Sequence, residues 1–313
     1  MISEKPVELP GALMARARGG TAAKAVIVGA DQDIVLQSVQ DAVTDGLVAP
    51  VLVGDPDAIN RIADTVGLLL SDIEILPASG DEALARTGAL RAASDDIDMV
   101  VKGHVHTDAF MAALLTRDAN IRQAGSRMTH CFHMTVPGED RALIITDGAV
   151  NVAPDMKTKK AAIQNAVALA HAIDIAKPKL AILSATETPL PQMPSSMEAA
   201  ELTDWASNAV ADAFVFGPLA FDNAVSAAAA QLKGIDNPVA GDADILLVPN
   251  IETGNALFKI MVYFMSACAA GVVLGGRLPI VLTSRADPSE ARMASMALAK
   301  ICAAHEGAPQ SGT

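Results

Sequence analysis

The sequence predicts an α/β protein built on a doubly wound parallel sheet. The first observation is a rhythm. Short apolar runs rich in β-branched residues recur at 25–29, 50–54, 72–76 and 98–102, and helix-length segments follow at 31–43, 56–66, 80–93 and 107–115. Four strand–helix units in a row favour parallel strands joined by helical crossovers. The second is composition: 51% of the 313 residues are hydrophobic but only 3% are aromatic. A core of Ala, Val, Ile, Leu and Met suits helices packed on a buried sheet. The third is length, which is enough for two domains or one large one.

Each element has a local reason. The first residues, through about Gly20, form a loose lead-in or a first helix. The helix at 31–43 starts with acidic residues, which suit the positive end of the helix dipole. Near 117–130 the chain turns polar and basic, and this marks a domain boundary. Strands are expected at 131–136 and 142–146, and the turn formers between them predict a hairpin. A helix at 157–173, a strand at 179–183 and a helix at 195–211 follow, the last with Ser195 or Ser196 as its cap. A strand at 213–216 precedes an Ala-rich helix that runs up to Leu232. The run 245–248 reads as a strand buried on both faces, ended by Pro249 because proline cannot donate to a sheet ladder. The apolar run 260–274 reads as a buried helix leading into a strand at 272–274. A strand at 279–282, a last helix at about 288–302 and a frayed tail after Glu306 complete the chain.

Charge and cysteine usage narrow the function classes. The net charge of −13 disfavours nucleic acid as a general partner, since a duplex repels such a surface. An anionic small molecule would need clustered Lys, Arg or helix N-termini. Cys131, Cys268 and Cys302 have neither metal spacing nor an even framework, which points to a reducing cytoplasm. No basic segment followed by an apolar one opens the chain, so no signal peptide is expected. The run 260–274 falls short of the ~18 residues of a spanning helix, so no membrane span is expected either.

The candidate chemistry gathers at strand ends, where open α/β sheets bind ligands. Four such ends follow Lys102, Thr146, Val248 and Leu282. At the first, Gly103 allows close backbone approach, His104 and His106 face an anion, and Thr107 caps the next helix. Asp147 and Asn151 follow the second. Asn250, Glu252, Thr253, Gly254 and Asn255 stand at the third, with Lys259 on the helix behind them. Thr283, Ser284 and Arg285 follow the fourth, where a guanidinium suits bidentate phosphate recognition. Lys157, Lys159 and Lys160 open a helix against its dipole, which hints at an anionic partner beside the plainer reading of surface lysines. Neither a G-x-G-x-x-G nor a G-x-x-x-x-G-K-[ST] run is present, so a dinucleotide fingerprint and a P-loop are both missing. No local metal set completes His104 and His106, and no metal site is expected. The implied chemistry is the positioning of a polar, phosphorylated substrate rather than covalent catalysis.

At these residues the chain resembles the phosphate acetyltransferase and phosphate butyryltransferase family. Gly103-His-Val-His-Thr107 is similar to its Gly-x-Val-His-Ser/Thr element, and Asp147-Gly-Ala-Val-Asn151 to its Asp-x-Ala-Val-Asn element. Pro249-Asn-Ile-Glu-Thr-Gly-Asn255 resembles its Pro-Asn-Leu-Glu-Ala-Gly-Asn signature, and Leu282-Thr-Ser-Arg285 its Thr-Ser-Arg element. The resemblance implies a fold similar to the isocitrate and isopropylmalate dehydrogenases: two doubly wound α/β domains with a cleft between them. The first would comprise 1–128 and 284–313, with the second, 129–283, inserted and dimerising. It implies reversible transfer of an acyl group between coenzyme A and inorganic phosphate, acetyl first and butyryl second, by direct attack in a ternary complex. Acyl-CoA, acyl phosphate and phosphate are the implied partners, a homodimer the implied assembly, and no metal or nicotinamide cofactor is implied.

The resemblance also assigns roles. Ser284 would hydrogen-bond the reacting thiol or carbonyl, and Arg285 would hold phosphate and stabilise developing charge. His106, Thr107, Asp147, Asn151, Asn250, Glu252, Gly254, Asn255 and Lys259 would bind phosphate or coenzyme A. The chain departs from the family pattern at the base: where an aspartate is expected seven residues after the serine, it carries Ala291. Asp287 and Glu290 are the nearest carboxylates and the expected substitutes, ahead of Glu252. A second departure is 111–113, which lacks the arginine of many acetyltransferases. A dehydrogenase of the related fold, using nicotinamide and metal, and a non-catalytic coenzyme A-binding module are the competing readings.

Overall fold

A computed structural model describes residues 2–123, 125–139, 141–284 and 286–306. The expected frayed tail and Arg285 lie outside them. The chain opens with α1 (Gly11–Ala17), so the lead-in is in part a helix. Then come β1 (Ala23–Val28), α2 (Asp33–Thr44), β2 (Val48–Gly54), α3 (Pro56–Val66), β3 (Glu74–Pro77), α4 (Asp81–Ala92), β4 (Met99–Lys102) and α5 (Thr107–Leu114). Local sequence sets the bounds of α3. Asp55 accepts from the Asp57 N–H, Pro56 occupies the first turn, and Gly67 closes the helix at φ 75°.

The second stretch runs β5 (Thr129–Thr135), β6 (Leu143–Thr146), α6 (Met156–Ala172), β7 (Lys179–Leu183), α7 (Pro194–Ala209), β8 (Phe214–Leu219), α8 (Phe221–Val225), α9 (Ala227–Leu232), β9 (Ile245–Leu247) and α10 (Ile251–Met265). The chain ends with β10 (Cys268–Leu274), β11 (Ile280–Val281) and α11 (Ser289–Glu306).

Two compact units result, each an α/β sheet with helices. One comprises 9–126 and 270–313, the other 1–8 and 127–269. The strand order in the first is β3-β2-β1-β4-β11-β10, parallel except for the antiparallel β10–β11 pair. The order in the second is β5-β6-β9-β7-β8, with β5 antiparallel to β6 and the rest parallel. The expected return to the first domain at 283/284 is thus corrected to 269/270. The reason is register: Ile280 pairs with Val100 and Val281 with Val101, so β11 belongs to the sheet of β4. The expected cut at 128/129 lies two residues beyond the observed one, and 1–8 join the other unit, where Ser266 donates to the Lys5 carbonyl at 2.8 Å.

Three local expectations are also corrected. Neither Ser195 nor Ser196 caps α7, which starts after Met193; Ser196 Oγ instead ties the preceding turn, accepting from the Leu190 N–H at 2.8 Å. The Ala-rich helix is broken at Ser226, whose hydroxyl caps α9. The helix before β10 is not buried. Gly254 is its one fully buried residue, and Ile260, Tyr263, Phe264 and Met265 are each at least 44% exposed. Among the described residues, no helix is long and apolar enough to cross a membrane.

Candidate active site

In the first unit, the order β2-β1-β4 reverses direction between β1 and β4, and this switch point is where a doubly wound sheet opens a ligand crevice. Val28 and Lys102 are register partners at its mouth. Beyond them the chains cross on glycines. A Cβ on Gly103 would lie 2.4 Å from the Gly29 carbonyl oxygen, and one on Gly29 would lie 2.5 Å from that of His104. The close approach foreseen at Gly103 is therefore made by the protein's own backbone. Thr107 does not cap α5: His106 holds that position without a side-chain bond, and both residues are exposed. The His106 imidazole lies 3.6 Å from the Asp81 carboxylate.

The end of β11 lies beside the end of β4. Thr283 is buried, and its hydroxyl donates to the Lys102 carbonyl at 2.5 Å. This bond fixes the start of a turn that presents Ser284 to solvent. The Ser284 N–H donates to Asp287 Oδ2 at 2.6 Å, and the Asp287 N–H returns to the Ser284 carbonyl at 3.2 Å. Ser284 Oγ accepts from the Ala286 N–H at 3.3 Å. Burial pushes the Asp287 carboxyl above the usual carboxylate range; the Ser284 N–H and the charges of Arg292 and Lys102 oppose that shift. Glu290 is half-buried and accepts from the Ser289 hydroxyl at 3.1 Å, so of the two candidate carboxylates only Asp287 bonds the serine. Ala291 is buried, and its carbonyl accepts from Ser295 Oγ at 2.7 Å.

In the second unit, the polar groups stand at the neighbouring ends of β6 and β9. Asp147 is buried, and its carboxylate is already filled. One oxygen accepts from the N–H groups of Ala149 and Val150, at 3.0 and 2.9 Å. The other accepts from the His130 and Asn151 N–H groups and from Asn151 Nδ2, the last at 2.6 Å. Asp147 thus shapes the loop it begins, and Asn151 ties that loop to the Met128 carbonyl at 2.9 Å. Asn250 caps α10, its side-chain oxygen accepting from the N–H and hydroxyl of Thr253. Gly254 is glycine for packing: a Cβ there would lie 2.7 Å from Gly148 Cα. Direct ligand contact, expected of Asp147 and Gly254, is therefore not what their surroundings provide. Glu252, Asn255 and Lys259 are spaced to share one face of α10, and Glu252 and Lys259 are exposed on it.

Two of the three α6 lysines find partners within the protein, while Lys157 is exposed. Asp155 caps the helix, Lys159 pairs with Glu198, and Lys160 lies 5.3 Å from the Trp205 ring centroid. Two further polar groups escaped the sequence reading: Glu187, after β7, bonds Asn223, after β8. Their signal was the rule already applied to the other strand ends, that polar residues follow buried parallel strands. Among the described residues, no group of three His, Cys, Asp or Glu could hold a metal.

Fold and strand ends together define a class: a two-domain α/β enzyme whose polar groups gather at the carboxyl ends of parallel strands. Comparison narrows it. The family model described as "Phosphate acetyl/butaryl transferase" matches residues 82–300. The chain is 39% identical over 299 residues to the phosphate acetyltransferase of Rhizobium meliloti, covering 95% of this chain and 94% of that protein. It is 38% identical over 288 residues to the phosphate butyryltransferase of Clostridium acetobutylicum, covering 90% and 94%. A solved branched-chain phosphotransacylase from Enterococcus faecalis V583 matches with a TM-score of 0.78 at 29% identity, over 90% of this chain and 99% of that one. A phosphotransacetylase from Streptococcus pyogenes shares the fold, with a TM-score of 0.80 at 21% identity over 94% and 97%. The chain belongs to the phosphate acetyl/butyryl transferase family.

Proposed function

We propose that this enzyme transfers a short acyl group reversibly between coenzyme A and inorganic phosphate, with acetyl the first candidate and butyryl the second. The observation that carries the mechanism is the turn in which the Asp287 carboxylate accepts from the backbone of an exposed Ser284. In the direction of thioester synthesis, the coenzyme A thiol gives its proton to Asp287. The sulfur attacks the acyl carbon of the acyl phosphate, the C–O bond to phosphate breaks, and phosphate leaves. In reverse, a phosphate oxygen attacks the thioester and the departing thiolate takes the proton back. A base held above the usual carboxylate range is better matched to a thiol than an ordinary aspartate. The Ser284 hydroxyl orients the thiol or carbonyl, and Arg285 holds phosphate. Proximity in a ternary complex supplies most of the rate. Asn255 and Lys259 offer an amide and an ammonium to the anionic groups of coenzyme A. The reaction balances without metal or nicotinamide.

We further propose a homodimer. The exposed apolar face of α10, with Ile260, Tyr263, Phe264 and Met265, suits a second copy. Three buried cysteines that form no disulfide accord with a cytoplasmic setting.

The test is a panel of acetyl, propionyl and butyryl phosphates with coenzyme A, followed at the thioester absorbance. Turnover highest with acetyl phosphate is expected. No turnover with any of the three would overturn the reading.

A further inference from the structure

Behind the Ser284 turn lies a cavity of about 20 Å³, room for one water molecule. Its apolar walls are Ile27, Val35, Val39, Val101 and Met296, yet two cations line it, Lys102 and Arg292. Both are more than nine-tenths buried. Burying charge is costly unless it is paired and hydrogen-bonded, so two such groups in apolar surroundings call for a reason. The bonds of Arg292 supply one. Its Nε donates to the Asp287 carbonyl at 3.1 Å and its Nη2 to the Ser284 carbonyl at 3.0 Å. These are the first and last residues of the turn. Lys102 Nζ donates to the carbonyls of Gly103 and Val105, at 3.3 and 3.2 Å, on the neighbouring strand end.

We infer that Arg292 is a positioning residue for the acyl transfer: from α11 its planar fork braces both ends of the Ser284–Asp287 turn, while its charge and that of Lys102 support the Asp287 carboxylate from behind. The inference rests on the acyl-transfer reading above. The fork matters because a guanidinium presents fixed donors to two carbonyls, whereas an ammonium is a point charge. The charge matters because burial raises Asp287, and beside the Ser284 N–H the charges of Arg292 and Lys102 are what counter it. From α2 and β1 the cavity receives Val35, Ser38, Val39 and Ile27, which carry no charge. Among the described residues lining it, Lys102 and Arg292 are therefore its charged groups. The arrangement also accounts for Ala291. The buried helix position where the family's aspartate is expected carries a methyl group, and the next residue sends a cation to the turn that holds the carboxylate.

The test compares wild type with Arg292→Ala and Arg292→Lys in kcat, in KM for phosphate, and in the acid limb of the pH–rate profile. Arg292→Ala is expected to lose about 10²-fold in kcat, with a much smaller change in KM, since the turn that carries the base is displaced while Arg292 itself touches no substrate. Its acid limb moves to higher pH as Asp287 loses a positive neighbour. Arg292→Lys keeps the charge without the fork, so the limb returns to its wild-type position while kcat recovers only in part. An Arg292→Ala enzyme with wild-type kcat and an unmoved limb overturns the inference. So does a rise in KM for phosphate at unchanged kcat, which would make Arg292 a substrate contact. An inactive wild type would count against the acyl-transfer reading instead. The carboxyl 13C titration of Asp287, assigned with Asp287→Asn, then decides the inference by itself: the Asp287 midpoint must rise in Arg292→Ala. If Arg292→Ala does not fold, Lys102→Met and Arg292→Gln carry the same comparison, and Asp287 midpoints equal to wild type in both reject it.

Discussion

Asp147 and Asp287 both lie beyond the carboxyl end of a strand, one in each unit. Each accepts backbone N–H donation in the segment beyond that strand, Asp147 at the first residue of its loop and Asp287 at the last residue of its turn. They differ in what is left over. Asp147 is buried and takes five hydrogen bonds, so its charge is committed to holding the loop. Asp287 accepts one hydrogen bond within its turn, from the Ser284 N–H at 2.6 Å, beside an exposed hydroxyl, and burial raises its proton affinity. The lesson is that a motif aspartate becomes chemically available only where the fold leaves its oxygens partly unmet.

The strongest way to break this comparison is to exchange function for structure at each site. Asp287→Asn keeps an acceptor for the Ser284 N–H but removes the base. Turnover is expected to fall about 10²–10⁴-fold, with stability within about 1 kcal/mol of wild type. Steady-state kinetics beside a urea melt reads both, and an active Asp287→Asn enzyme would remove the asymmetry.

Asp147→Ala is the complementary case. It strands buried donors and is expected to cost roughly 3–5 kcal/mol of stability. The urea midpoint measures it. A variant that melts with wild type would mean that the loop does not depend on this carboxylate.

The smallest effect per residue is in pH, and its sign differs between the two regions. Burial holds His130 and His133 neutral when folded, each at about 4 against an ordinary value near 6.5. The unfolded chain therefore takes protons first, and stability falls as pH drops from about 6.5 toward about 4. Between pH 7 and 5 the loss is roughly 2 kcal/mol per histidine. Asp287 has the opposite sign: its raised carboxyl contributes stability below its unfolded pKa that is lost as pH rises through the folded value. His133→Gln should flatten the acid loss, and Asp287→Asn should leave it in place. Urea midpoints at pH 7 and 5 check both. An unchanged acid loss in His133→Gln would shift its origin to other groups.

Much of this was legible along the chain. The strand–helix rhythm, the hairpin before Asp147 and the ordered strand-end motifs are local signals, and α3 and β7 fall within the expected bounds. Ser226 was not foreseen as a break, because in an Ala-rich run a single serine caps or continues a helix depending on what packs beyond it. The exposed face of α10 was read as core, because apolar residues look alike whether they face the protein or another molecule. Arg292 was passed over because nothing in its neighbourhood tells a buried arginine from a surface one on a helix.

The sequence by itself determined the order of elements, the family and the residues that gather at strand ends, since periodicity and turn chemistry act over a few residues. Only the tertiary structure decided which carboxylate is spent and which stays available. The partners that settle this come from far away in sequence: His130 lies 17 residues before Asp147, and Thr283 bonds Lys102 across 181. Hydrogen-bond saturation and burial are properties of that assembled neighbourhood, and no local pattern encodes them.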